Sequence, residues 1–170
     1  MKRLNPDYFK LPATELAPLL LGKLLCVSKD GVVSVIRITE TEAYFGEEDT
    51  ACHAHKGRTP RTEILYSAGG RVYVYLCYGI HSLMNIISGE EGHPEGVLIR
   101  GVEGYNGPGK LTKHLGIDRT FNNMNVIDSD VIWISDDGYV PKKILTSARI
   151  GIDYASEEFR YKPWRFYIEL

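Results

Sequence analysis

One two-stranded unit constrains this chain more than any other feature. Lys23 to Ser28, Asp30-Gly31 and Val32 to Tyr44 read as strand, tight turn and long returning strand. The flanks are enriched in β-branched residues, and an Asp-Gly pair tolerates the positive backbone angles of a two-residue hairpin turn. Arg71 to Tyr78, Leu83 to Ser88, Val97 to Val102, Val131 to Ser135 and Trp164 to Leu170 read as further strands. Helical signals are short. Asn5 caps a turn opened by Pro6; Thr14 is the expected N-cap of a helix through Leu16 to Leu21 that Gly22 ends; Lys110 to Leu115 forms another, stopped by Gly116. The expected class is α+β: a single domain over residues 1–170, with a largely antiparallel, curved β-sheet and short flanking helices.

The longest apolar run, Val72 to Tyr78, is far short of the roughly 18–20 residues of a spanning helix, and the N-terminus lacks a signal pattern. No membrane partner is expected, and the protein is expected to be intracellular. With Lys+Arg 20 against Asp+Glu 22 the net charge is −2, which by itself argues against a polyanion partner. Net charge is only a sum, however, and Lys56, Gly57, Arg58, Thr59, Pro60 and Arg61 form a compact basic loop suited to phosphate oxygens, unless it is simply solvated. Eleven tyrosines against five phenylalanines suggest aromatic rings working where one end is wet. Cys26, Cys52 and Cys77 form no CxxC pair, and Cys52, His53 and His55 lack a second group at zinc-ligand spacing, so neither disulfide nor metal is expected.

Strand phase singles out particular side chains. Ile36, Ile38, Glu40, Glu42 and Tyr44 alternate on one face of their strand, placing two carboxylates in phase with apolar residues. Either the strand end has reached solvent or these carboxylates are paired, hydrogen-bonded or raised in pKa, which is also how a general base is made. Leu98, Arg100 and Val102 put a guanidinium in a similar place, snorkelling to water or paired with Glu40 or Glu42. Asn85 falls between Leu83 and Ile87. Tyr73 and Tyr75 share a face while Tyr78, before Gly79, falls on the other.

Together these residues resemble the alkyladenine (3-methyladenine, methylpurine) DNA glycosylase family. The resemblance rests on Thr39 to Tyr44, Glu48-Asp49 with His53, Thr59-Pro60-Arg61, Val72 to Tyr75 with Tyr78-Gly79, Met84-Asn85-Ile86 and Leu98-Ile99-Arg100. It continues through Gly107 to Leu111, Ala148-Arg149-Ile150-Gly151 and Lys162-Pro163 with Arg165-Phe166-Tyr167. It implies a base-excision repair enzyme that flips damaged purines out of double-stranded DNA and hydrolyses the N-glycosidic bond without lyase activity, as a monomer and with no cofactor. Its seat would be the nucleoid-bearing cytoplasm of a bacterium or the nucleus of a eukaryote. By the same resemblance Glu42 activates the water, helped by Arg100 and the main-chain carbonyl of Ile150. Tyr44, His53 and Tyr75 would stack the extruded base, Asn85 would screen against the guanine amino group, and Tyr78 would fill the gap in the duplex. Arg58, Thr59, Arg61 and Lys110 are the expected DNA contacts. The chain departs from longer members in the short segment between Arg100 and Gly107, and from the vertebrate pattern at Ile80 and His81. The rival reading is a noncatalytic module that binds nucleic acid or sugar by tyrosine stacking.

Overall fold

A computed structural model describes all residues 1–170. A short strand β1 (Lys2–Arg3) and a 3₁₀ turn, Pro6–Lys10, precede helix α1 (Ala13–Leu20). Asn5 caps that turn as expected, accepting a hydrogen bond from the Asp7 N–H at 2.9 Å. Helix α1 does not start at Thr14. The N–H of Ala13 is satisfied from across the molecule by the buried carboxylate of Glu95, at 2.8 Å, so no local capping residue is required. Past its end Gly22 takes φ +83°, where a left-handed backbone turns the chain into the sheet.

The hairpin forms as its sequence dictates. Strands β2 (Leu24–Lys29) and β3 (Val32–Phe45) pair antiparallel from Lys29↔Val32 onward, and Asp30 and Gly31 have φ of 51° and 77°. Next come β4 (Val72–Cys77), β5 (His81–Ile87), β6 (Glu95–Val102) and β7 (Tyr105–Asn106). Helix α2 (Pro108–Leu115) follows, then β8 (Ile132–Asp136), β9 (Leu145–Ser147), α3 (Glu157–Arg160) and β10 (Arg165–Tyr167). The sheet runs β1-β8-β2-β3-β6-β5-β4, with β10 against β3 and β9, and every pairing is antiparallel. The shortening between Arg100 and Gly107 takes the form of a tight return: Val102 pairs with Tyr105 across Glu103-Gly104.

One irregularity in β3 corrects the expected strand phase and makes the site possible. Ile38 pairs with Val102, Glu40 with Gly101 and Thr41 with Ile99, so the register slips twice around Glu40. A bulge adds a residue to one strand, and every side chain beyond it changes face. Ile38 therefore points into the main core, and so do Thr41, whose hydroxyl donates to the Ala17 carbonyl of α1 at 2.9 Å, and Ala43. Glu40, Glu42 and Tyr44 point the other way. The same applies to β6, where Val97, Ile99 and Val102 are core and Leu98 and Arg100 line a cleft. Gly101 allows the close approach at the bulge, since a Cβ there would lie 3.1 Å from that of Glu40. The sheet thus has one apolar face beneath α1 and α2. Its other face carries Tyr73, Tyr75, Asn85, Arg100 and the two carboxylates, and is covered in part by Ala51, Cys52, Ala54, Leu65 and Tyr66 and by Ile152 and Ala155. No helix is long and apolar enough to cross a membrane.

Candidate active site

Four strands converge on a cleft of about 900 Å³ bordered by Tyr44, His53, Tyr75, Tyr78, Arg100 and Ile150. Glu42 lies beneath its floor, fully buried, and each of its bonded partners comes from the residues above it. Its Oε1 accepts from the Ile150 N–H at 2.9 Å and sits 3.3 Å from Arg100 Nε, while its Oε2 accepts from the Tyr44 hydroxyl at 2.7 Å. Burial pushes the Glu42 carboxyl above the ordinary carboxylate range; Arg100, the Ile150 amide and the Tyr44 hydroxyl pull the other way by stabilising the anion. A carboxylate that is both more basic than usual and held in one geometry has the properties of a general base.

Arg100 is itself fixed by Glu40. Both Arg100 Nε and Arg165 Nε donate to Glu40 Oε1, at 2.9 and 2.6 Å. The expected alternatives for Arg100, Glu40 or Glu42, resolve as both. Behind Tyr44 lies a second buried pair. Arg149 makes a two-point bond to Asp49, at 2.6 and 2.8 Å, and donates to the Ala43 carbonyl at 3.0 Å. Its guanidinium stands between the rings of Tyr44 and Trp164, 4.7 and 5.0 Å from their centroids. The site therefore balances Glu40, Glu42 and Asp49 against Arg100, Arg149 and Arg165.

A narrower niche opens off the cleft among Tyr44, His53, Tyr75, Asn85 and Tyr154. His53 meets Tyr75 edge-on with centroids 4.4 Å apart, and its Nδ1 is 3.0 Å from the Tyr73 hydroxyl. Burial, aided by Arg61, lowers the His53 pKa to about 4, so the imidazole is neutral near neutral pH. Burial likewise raises the phenols of Tyr44 and Tyr75, which stay protonated. The niche presents uncharged aromatic surfaces, with the Asn85 amide held on the Tyr73 carbonyl at 3.2 Å.

Tyr78 stands at the rim in the turn between β4 and β5. It is 91% exposed with φ 53°, a backbone region uncommon for a bulky residue, and it projects its ring away from the protein. Arg61 and Lys110 also line the cleft. Arg58 and Thr59 do not: Arg58 is bonded at two points to Glu63, both at 2.7 Å, and Thr59 is tied into a turn with Thr62. Cys52, His53 and His55 have separate surroundings, His55 bonding the Glu47 carbonyl at 2.7 Å. Sequence reasoning gave no role to Arg149, Arg165, Asp49 or Tyr154. Of these, Arg149, Asp49 and Arg165 lay inside the resembling segments, but the Arg149–Asp49 pairing spans 100 residues and that of Arg165 with Glu40 spans 125, and neither has a local signature.

The methylpurine-DNA glycosylase family model matches residues 7–106 and 103–170, two stretches that meet at the tight return after β6. A protein of Borreliella afzelii is 43% identical, with 95% of this chain and 94% of that protein covered. One from Psychrobacter cryohalolentis is 44% identical over 94% and 88%, and one from Methanocella arvoryzae 38% over 98% and 92%. Each carries the name "Putative 3-methyladenine DNA glycosylase". The chain is thus a DNA glycosylase by class. It belongs to the methylpurine-DNA glycosylase family.

Proposed function

We propose that this enzyme excises alkylated or deaminated purines, among them 3-methyladenine, 7-methylguanine, hypoxanthine and ethenoadenine, from double-stranded DNA, using a water activated by Glu42. The observation that carries this reading is a fully buried carboxylate, bonded by Arg100, Ile150 and Tyr44 of the cleft, with Tyr44 also walling the adjoining niche of neutral aromatic rings.

A purine inside the duplex hides its glycosidic bond, so the nucleotide must be extruded at a cost of a few kcal/mol, which is smaller for a damaged base. The Tyr78 ring enters the vacated gap, and stacking among Tyr44, His53 and Tyr75 offsets the rest. The glycosidic bond then breaks with its electron pair leaving on the base, and the sugar acquires oxocarbenium character, as in glycoside hydrolysis. Water adds at the anomeric carbon and gives its proton to Glu42. The Ile150 carbonyl is a second acceptor for that water, while its N–H engages Glu42. A base alkylated at N3 or N7 leaves neutral; hypoxanthine has to gain a proton as it leaves. Asn85 sits where it can oppose a purine amino group. The reaction draws on no cofactor.

The niche contains no lysine; Lys110 and Lys113 stand on the cleft rim. Incubated with a duplex bearing one hypoxanthine or alkylated purine, the protein should release the free base and leave the strand intact until alkali is added. Absence of base release would overturn the reading, and rapid strand cleavage by the purified protein would overturn its hydrolytic mechanism.

The Tyr44 hydroxyl should be visible in the pH dependence. Because it donates to Glu42 and thereby lowers that pKa, Tyr44→Phe should raise it further while retaining a ring for stacking. The base works deprotonated, so the acid limb of the single-turnover pH–rate profile should move to higher pH. A profile superimposable on that of the wild type would contradict this.

A further inference from the structure

Beside the cleft, a second groove of about 590 Å³ runs past the outer edge of β4. Arg61, Tyr75 and Leu76 line both, so the two are continuous across that ridge. The far bank is formed by residues 119–123. It is held against β4 by the Val74 N–H donating to Asn122 Oδ1 at 2.6 Å and the Asn123 N–H donating to the Val72 carbonyl at 2.9 Å. Arg119 is exposed on this bank and its guanidinium has no acidic partner. The adjacent Asp118 is turned to its own turn, accepting from the Thr120 N–H and hydroxyl. Glu63, the one carboxylate lining the groove, is already neutralised by Arg58.

We propose that Arg119 is a DNA phosphate contact, and that the duplex backbone leaving the cleft passes over Arg61 into this groove rather than over Arg58. The inference rests on the glycosylase reading and adds the path of the DNA. An unpaired guanidinium on a fixed bank neutralises a phosphate and releases its counterions without losing an existing bond. Arg58 would have to surrender a two-point carboxylate pair to do the same. The free cations bordering the two openings, Lys110, Lys113, Arg61 and Arg119, together make a positively charged track with Tyr78 beside it.

The test is the salt dependence of duplex binding, measured by fluorescence anisotropy for the wild type, Arg119→Gln and the double variant Arg58→Gln with Glu63→Gln, on lesion-bearing and undamaged DNA. Arg119→Gln should reduce the slope of log K against log salt by roughly 0.9, which corresponds to about eightfold weaker binding at 0.1 M relative to 1 M salt, equally on both duplexes. Arg58→Gln by itself bares the Glu63 carboxylate in the groove, so the control is Arg58→Gln with Glu63→Gln, which removes the pair together and should leave the slope unchanged. An unaltered slope for Arg119→Gln, or a loss confined to the double variant, would overturn the proposed path. Salt-independent binding by the wild type would instead bring down the DNA-binding reading itself.

Discussion

Glu42→Gln should retain lesion binding and lose base release by roughly 10²–10⁴-fold, the usual contribution of a positioned general base. The substitution keeps the shape of the side chain. A glutamine oxygen can still accept from the Ile150 N–H, and Arg100 keeps its partner Glu40, so nothing essential to the frame is left uncompensated. What disappears is the capacity to take a proton from water. The stability effect has a definite sign. Burial sets the folded-state pKa of Glu42 above its unfolded value, so ionisation costs the fold nothing below the ordinary carboxylate pKa and its full cost above the folded-state one. Glutamine carries no such cost, and the melting temperature of the variant at neutral pH should equal or exceed that of the wild type. Single-turnover release and thermal melting on the same preparation check both halves. Release at the wild-type rate by a folded variant would remove Glu42 from the mechanism.

The hairpin, the strands β4, β5, β6, β8 and β10, and α2 were legible because each has a local cause: an Asp-Gly turn, β-branched and aromatic runs, and a left-handed Gly116 at φ 67°. The start of α1 was not, because its capping partner is Glu95, 82 residues away. The phase of β3 shows the same limit at the site. Alternation correctly grouped Glu40, Glu42 and Tyr44 on one face, yet a bulge separates them from Ile36 and Ile38, and no residue-by-residue pattern announces a bulge. The consequence is chemical: the carboxylates face the cleft and not the core beneath α1. The basic loop at Lys56 to Arg61 was visible as composition, but composition cannot say which cation is spent on a neighbouring carboxylate. Only Arg61 of its arginines remains free to face the cleft. The short strands β1, β7 and β9 and helix α3 have too few residues for any periodicity to register.

Arg149→Met should be the most destabilising single change at the site, by about 3–5 kcal/mol, because it strands Asp49 as an unpaired charge with no exposed surface. In a chain of this size that corresponds to a fall of roughly 6–20 °C in melting temperature. Asp49 also accepts from the N–H groups of Phe45 and Ala51, both at 3.0 Å, so these bonds alone would have to hold a carboxylate that the guanidinium now neutralises. Adding Asp49→Asn should recover part of the loss: it removes the stranded charge and keeps an acceptor for one of the two amides, which bond different oxygens of Asp49. The double variant should therefore melt above Arg149→Met, a non-additivity that a purely steric role for Arg149 would not produce. The catalytic effect follows from position. Arg149 ties the segment bearing Ile150 to β3 and backs the Tyr44 ring, and two of the bonds to Glu42 come from those residues. Below its lowered melting temperature Arg149→Met should release base more slowly than the wild type while still binding duplex DNA. A melting temperature within about 2 °C of the wild type, less than 1 kcal/mol by the same scaling, would show that the Asp49 pair does not fasten the site.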